Sequence, residues 1–301
     1  VGGQPVSRIG PHTVRRGVGR IDRRRGFAAF VGLYRARVAL AAGGGGGFFV
    51  GYGVSWLICA VFGYGYSMPP VSVIVNPSYY FLSVGVIIAV TLVAVFGLGG
   101  VGSYCAEALA RGGVGHLTIV DDDVIAESNI NRQLYALTST VGQAKTDVAA
   151  ARIADINPDC IVTKKRIRYE KSTTNEFDFA EYDYVVDAID TVTSKLLLAE
   201  LCFRCGTKEI ACMGTGNKLD STAFRVADVF DTKVCPLAKV MRRELKKRGV
   251  THLKVVYSEE EPLVPTQLEA SAKRQTPGSV SFVPPVAGMI LASVVIKDLI
   301  K

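Results

Sequence analysis

The feature that most constrains this chain is Gly97-Leu98-Gly99-Gly100-Val101-Gly102-Ser103, set between an apolar stretch, Thr91 to Phe96, and a helix-forming stretch, Val101 to Arg111. An apolar run that ends in a glycine loop and restarts as a helix is the first βα turn of a parallel sheet, where small residues let the backbone approach a phosphate at a helix N-terminus. Phe81 to Phe96 carries no charge and approaches the length of a membrane span. Its second half feeds directly into the loop, so Thr91 to Phe96 is expected to be a buried strand.

The pattern then alternates. The helix stops at Gly112-Gly113, and strand His116 to Asp121 follows. Helix Gln143 to Ile156, strand Cys160 to Ile167, a short helix near Thr174 to Phe179 and strand Tyr184 to Asp187 come next. They are succeeded by helix Thr193 to Cys205 and strand Glu209 to Met213. Buried strands alternating with helices predict an α/β fold, a doubly wound, Rossmann-like, mainly parallel sheet with helices on both faces. A C-terminal α+β extension is expected from strand Ala223 to Asp228, helix Leu237 to Arg248, strand Leu253 to Tyr257 and helix Pro285 to Ile300. That last helix, with Val286, Met289, Ile290, Val294 and Val295, ends Lys297-Asp298 and reads as a core helix.

Charge divides the chain in two. Residues 1–90 hold nine Arg, no Lys and a single acid, Asp22, whereas the remainder holds 26 basic and 26 acidic groups. The net charge of +8 therefore belongs to the N-terminal segment, which is Arg-rich to residue 40, has a glycine run Gly43 to Gly47, and is apolar from Phe48 to Tyr66. No helical or strand period persists there. Residues 1–90 are expected to be an extension outside the folded body, either foreign sequence, with Met68 as a start, or a leader able to anchor in a membrane. Residues 91–301 are expected to form the functional domain. Seven Cys, an odd number with only one C-x-x-C pair, Cys202 and Cys205, fit free thiols in a reducing, cytoplasmic compartment. Zinc of the ribbon type needs a second pair. Both cysteines are expected to face the core, and Ser103 to cap its helix or touch a ligand.

By itself the loop with Gly97, Gly99, Gly100 and Gly102, followed by Asp121 for a ribose, would serve ATP, NAD or FAD. What favours a triphosphate is the segment Asp121-Asp122-Asp123-Val124-Ile125-Ala126-Glu127-Ser128-Asn129-Ile130-Asn131-Arg132-Gln133, followed by Lys145. A dehydrogenase has no need of Arg and Lys converging past the ribose acid, whereas cleavage of a triphosphate must neutralise the departing pyrophosphate.

At these residues the chain resembles the adenylating superfamily that includes ubiquitin-activating enzymes and the bacterial activators of sulfur-carrier proteins. The resemblance extends to Val185-Val186-Asp187-Ala188-Ile189-Asp190-Thr191. It implies that Asp190 holds magnesium, that Asn129, Arg132 and Lys145 contact phosphates, that Asp121 takes the ribose, and that Asp123 and Gln133 belong to the nucleotide site. Toward the C-terminus the chain is similar to tRNA threonylcarbamoyladenosine dehydratases at Pro236 to Gly249, Val255 to Glu260 and Pro277 to Met289.

This narrower resemblance implies ATP-dependent cyclisation of N6-threonylcarbamoyladenosine in tRNA by a ligase-like homodimer using ATP and Mg2+. The alternative is activation of the C-terminal carboxylate of a ubiquitin-like sulfur carrier, for which Cys235 could be proposed as a catalytic thiol. No stretch before Thr91 matches the N-terminal arginine that superfamily members send into a neighbouring subunit. At 100° per residue Lys239, Arg242, Arg243, Lys246 and Lys247 share one arc of their helix, opposite Leu237, Val240, Met241 and Leu245, and this cationic face is expected to bind tRNA.

Overall fold

The computed structural model describes residues 91–264 and 278–301. The N-terminal extension expected at 1–90 lies outside the described residues. Seven strands form one sheet in the order β3-β2-β1-β4-β5-β7-β6. They are β1 (Leu92–Phe96), β2 (His116–Val120), β3 (Ile161–Lys165), β4 (Tyr184–Asp187), β5 (Glu209–Cys212), β6 (Phe224–Asp228) and β7 (Lys254–Ser258). Every pairing is parallel except that of β6 with β7. The expected α/β fold is therefore the observed one, with an antiparallel strand at one edge.

Position in the sheet explains composition. β1 lies between β2 and β4, and Val93, Ala94, Val95 and Phe96 are wholly buried, as a strand covered on both faces requires. β3 lies at the other edge, which tolerates Lys164 and Lys165. The connecting helices are α1 (Gly102–Arg111), α2 (Lys145–Ile156), α3 (Val192–Cys205) and α4 (Pro236–Lys247), followed by the C-terminal α5 (Val283–Leu299). Gly206, at φ 71°, ends α3 in the left-handed conformation that glycine adopts without strain. Helix α5 starts two residues earlier than its sequence suggests, because Pro284 and Pro285 fall in the first turn, where no backbone donor is needed.

Val283, Ala287, Leu291 and Val295 of α5 are buried in the same core cluster as Cys105 and Leu109 of α1. A Cβ on Gly288 would overlap the Val101 carbonyl oxygen, so the final helix is pinned to the one that follows the glycine loop. Met289 points outward, 47% exposed, in contrast to its expected place in the core. None of the described helices is long and apolar enough to cross a membrane.

Two other expectations are corrected. The short helix near Thr174 is a pair of 3-10 turns, Lys171–Glu176 and Phe179–Glu181. The Asp178 side chain accepts the Ala180 N–H and starts the second turn, while Phe177 and Phe179 both plug into an aromatic cluster with Phe96 and Tyr169. Cys202 is buried but Cys205 is exposed, because it is the last residue of α3.

Candidate active site

The strand order puts the switch point between β1 and β4, and in open α/β sheets ligands bind there, beyond the carboxyl ends of the strands. Gly97 leaves β1 at φ 88° and donates its N–H to Val120 O (2.8 Å), while the Ala188 N–H returns to Phe96 O (2.8 Å). A Cβ on Gly97 would stand 2.7 Å from Ala188 O, and one on Gly102 would collide with Gly97 O. These two glycines are required by the backbone's approach to itself. Gly99 has nothing but the Gln133 Nε2 at 4.0 Å, which leaves its face open.

Asp121 follows β2 and anchors this loop. Its Oδ2 accepts the Leu98 N–H (2.6 Å), its Oδ1 accepts the Asp123 N–H (2.9 Å), and Lys145 Nζ lies 3.5 Å from Oδ1. Burial pushes the Asp121 carboxyl up from its ordinary value, against the pull of Lys145 and the two backbone donors. Lys145, the first residue of α2, is buried and makes a closer contact with Asp123 Oδ2, 2.7 Å. Fixing Lys145 at the cavity floor therefore depends on two carboxylates that follow β2.

The crossover between β2 and α2 carries the other expected residues. Asn129 caps its own turn, its Oδ1 accepting the Ala126 N–H (3.1 Å) and its carbonyl accepting from Arg132 and Gln133. Arg132 Nη1 donates to Ser128 O and Asn131 Oδ1, both at 2.9 Å, which aims the guanidinium across the loop. After β4, Asp187 Oδ1 accepts the Ile189 N–H (3.0 Å) and the chain turns. Asp190 is thereby exposed, its Oδ1 accepting only from Thr191 Oγ1 (3.1 Å) among the described residues.

These residues line one cavity of about 730 Å³. Gly97, Gly99, Gly100, Asp121, Asp123, Asn129, Arg132, Gln133, Lys145 and Asp190 are brought together in its wall. Gly102 is not, since its role is the loop's own packing. Ser103 neither caps α1 nor touches the cavity: it is wholly buried and its Oγ accepts the Leu134 N–H (3.3 Å). Sequence reading missed Ile167, Arg168 and Tyr169 after β3, Met213 to Gly216 after β5, and Ser279. The first two groups follow the carboxyl ends of parallel strands, a signal that could have marked them.

A divalent cation coordinated by phosphate oxygens needs one or two carboxylates and keeps several waters. Asp190 fits that description, being exposed and in no ion pair among the described residues. Asp121, Asp122 and Asp123 also bring their oxygens within 4.8 Å of one another, but Lys145 already pairs with Asp121 and Asp123.

The cationic face of α4 is smaller than the sequence implies. Arg242 turns back, its Nη1 donating to Thr232 O (2.8 Å) and to Thr232 Oγ1, so it holds the 229–232 turn and is half-buried. Arg243 and Lys247 share Glu244, at 2.9 and 3.0 Å. Lys239 and Lys246 are exposed and in no ion pair among the described residues. Val240 is 37% exposed rather than on the buried side, because it lies only about 20° from Lys247 on the helix. Cys235 is buried immediately before α4.

The ThiF family model matches residues 88–301. Over 220 residues the chain is 43% identical to the tRNA threonylcarbamoyladenosine dehydratase of Bacillus subtilis, an alignment covering 69% of this chain and 87% of that one. The Escherichia coli dehydratase is 41% identical over 154 residues, covering 51% of this chain and 58% of that one. A solved structure of the Escherichia coli enzyme in complex with ATP superposes with a TM-score of 0.67 at 33% identity, covering 74% of this chain and 90% of that chain.

Proposed function

The chain belongs to the ThiF family, and from that premise we propose that it is an ATP-dependent tRNA threonylcarbamoyladenosine dehydratase, closing N6-threonylcarbamoyladenosine in tRNA to its cyclic form. The observation that carries this reading is the convergence of Arg132, Lys145 and Asp190 with the glycine loop on one cavity. The sulfur-carrier alternative is less well supported, since the relatives covered over most of their length are dehydratases.

A carboxylate is a poor electrophile because its charge repels nucleophiles and oxide is a bad leaving group. Adenylation removes both defects. In the proposed reaction the threonyl carboxylate oxygen bonds to the α-phosphorus and the α–β bridging bond breaks, releasing pyrophosphate. The substrate's own carbamoyl group then attacks the acyl carbon and AMP leaves, so no protein nucleophile is required. Lys145 and Arg132 neutralise charge that develops on the phosphates, and Lys145 is held in place for this by its ion pairs with Asp121 and Asp123. Gly99 and Gly100 admit the phosphate backbone, and Asp121 with Asp123 faces the ribose while holding Lys145. Mg2+, held by Asp190 and the nucleotide's own oxygens, would draw charge off the leaving pyrophosphate.

The domain that does this is assigned to residues 91–301, working as a cytoplasmic homodimer in which the six described free cysteines stay reduced. Lys239, Arg243, Lys246 and Lys247 of α4 are assigned to the tRNA backbone. Incubating the protein with ATP and tRNA bearing the modified adenosine, followed by mass analysis of the nucleosides, tests the reading. Loss of one water from the modified adenosine is expected. ATP consumption without that loss would overturn it.

A further inference from the structure

Two segments singled out in the sequence, Val255 to Glu260 and the one beginning near Gly278, which also brings Ser279 and Pro284 to the cavity wall, meet at the loop after β5. Glu260 clamps that loop from one side. Its Oε1 accepts the Leu219 N–H (2.8 Å) and its Oε2 accepts the Asp220 N–H (3.0 Å), while its carbonyl oxygen accepts from the buried Lys218 Nζ. Its own N–H donates to the buried Ser258 Oγ (3.1 Å). Asn217, in the left-handed region at φ 57°, holds the other side: its N–H donates to Gly278 O (2.7 Å) and its Oδ1 accepts the Gly278 N–H (2.7 Å).

Neither Asn217 nor Glu260 lines the cavity, but Gly214 to Gly216, immediately before Asn217, do. Topology says which part of the cavity this is. A nucleotide with its ribose at Asp121 after β2, its phosphates on the loop after β1 and its metal at Asp190 after β4 runs along three neighbouring strand ends. The end of β5, next in the sheet, is left for the second substrate. At Gly214 a Cβ would meet nothing within 4 Å, and no positive φ demands glycine there. Nothing among the described residues explains the missing side chain, whereas room for a ligand does.

We propose that the β5 end of the cavity, floored by Gly214, is the pocket for the carboxylate-bearing modified base, and that Asn217 and Glu260 are positioning residues that set its wall. This rests on the dehydratase reading. A Cβ at Gly214 meets no protein atom within 4 Å, so a larger side chain there takes up cavity space, and an amide in place of the Glu260 carboxylate can accept only one of the two N–H groups, which lets the wall shift.

The test compares Gly214→Ala, Gly214→Val and Glu260→Gln with the wild type, measuring ATP affinity by calorimetry and kcat and KM against tRNA bearing the modified adenosine. For Gly214→Val, kcat/KM for tRNA should fall by about tenfold or more while ATP affinity holds, because reacting groups displaced by even ~1 Å lose rate steeply. Gly214→Ala should fall between, and Glu260→Gln should raise KM for tRNA more than it lowers kcat. Full activity of an ATP-binding Gly214→Val protein would overturn the pocket assignment alone, as would a parallel loss of ATP affinity, which would place the nucleotide there. A wild type that binds ATP but forms no cyclised nucleoside would overturn the dehydratase reading and the proposal with it.

Discussion

Lys195 Nζ stands 3.0 Å from Asp187 Oδ2, and both side chains are wholly buried beneath the turn that presents Asp190. Lys195 also donates to Ile189 O (3.1 Å), and Asp187 Oδ1 accepts the Ile189 N–H (3.0 Å), so the pair grips the residue before Asp190 from both sides. The two charges meet as a buried ion pair, where removing one partner strands the other. Lys195→Met should cost about 3–5 kcal/mol, and the double variant Asp187→Asn with Lys195→Met should cost much less than the sum of the two singles. Chemical denaturation of the four proteins of that cycle measures the coupling, and additive losses would show that the pair does not act as a unit.

Asp190 and Lys145 should separate catalysis from folding. Asp190→Asn removes an exposed carboxylate in no ion pair among the described residues, so turnover should be lost with the melting temperature unchanged. Lys145→Met should lose activity by about 10²–10³-fold and also melt earlier, because it leaves Asp121 and Asp123 facing each other without a cation. Pyrophosphate release with the tRNA substrate, set beside thermal melts, distinguishes the two variants.

On α4, the arginine at 242 should behave unlike its neighbours. Arg242→Ala leaves the carbonyl of Thr232 without its donor, which should destabilise by about 1–3 kcal/mol with little change in tRNA affinity. Lys239→Gln with Lys246→Gln should leave stability alone and weaken tRNA binding, and the salt dependence of binding should flatten by about 0.7–0.9 per lysine removed. Binding titrations over a range of salt concentrations give that slope, and an unchanged slope would take the helix off the RNA surface.

The parts of this protein that could be read from sequence are those whose cause is local. β1 shows as a continuous apolar run because it is covered on both faces, and the glycine loop shows because Gly97 and Gly102 leave no room for a Cβ. Residues whose role depends on a distant partner could not be read. Ser103 serves Leu134, Arg242 serves Thr232, and Glu260 serves Leu219, each across a separation that no helical or strand period encodes. Helical phase alone put Arg242 among the RNA-facing cations, since a 100° projection says which way a side chain leaves the helix and not where a long one folds back to.

Glu209, the first residue of β5, gives a pH-dependent prediction beside the buried ion pair. Burial pushes its carboxyl well above the ordinary glutamate value of 4.5, and the charge of Asp187 pushes the same way, while Lys195 and the Cys202 thiol pull against them. Its Oε1 is buried without a hydrogen-bond partner among the described residues, so the neutral acid is the form the fold accepts. In the unfolded chain the same group ionises near its ordinary value. Stability from this group is therefore complete below that value and drains away as pH rises toward the folded titration, because the unfolded state releases its proton first. Glu209→Gln keeps the neutral shape and cannot ionise. The melting temperature of Glu209→Gln relative to wild type should accordingly climb as pH rises above the ordinary glutamate value of 4.5, and a difference that stays flat there would mean that Glu209 is ionised in the fold.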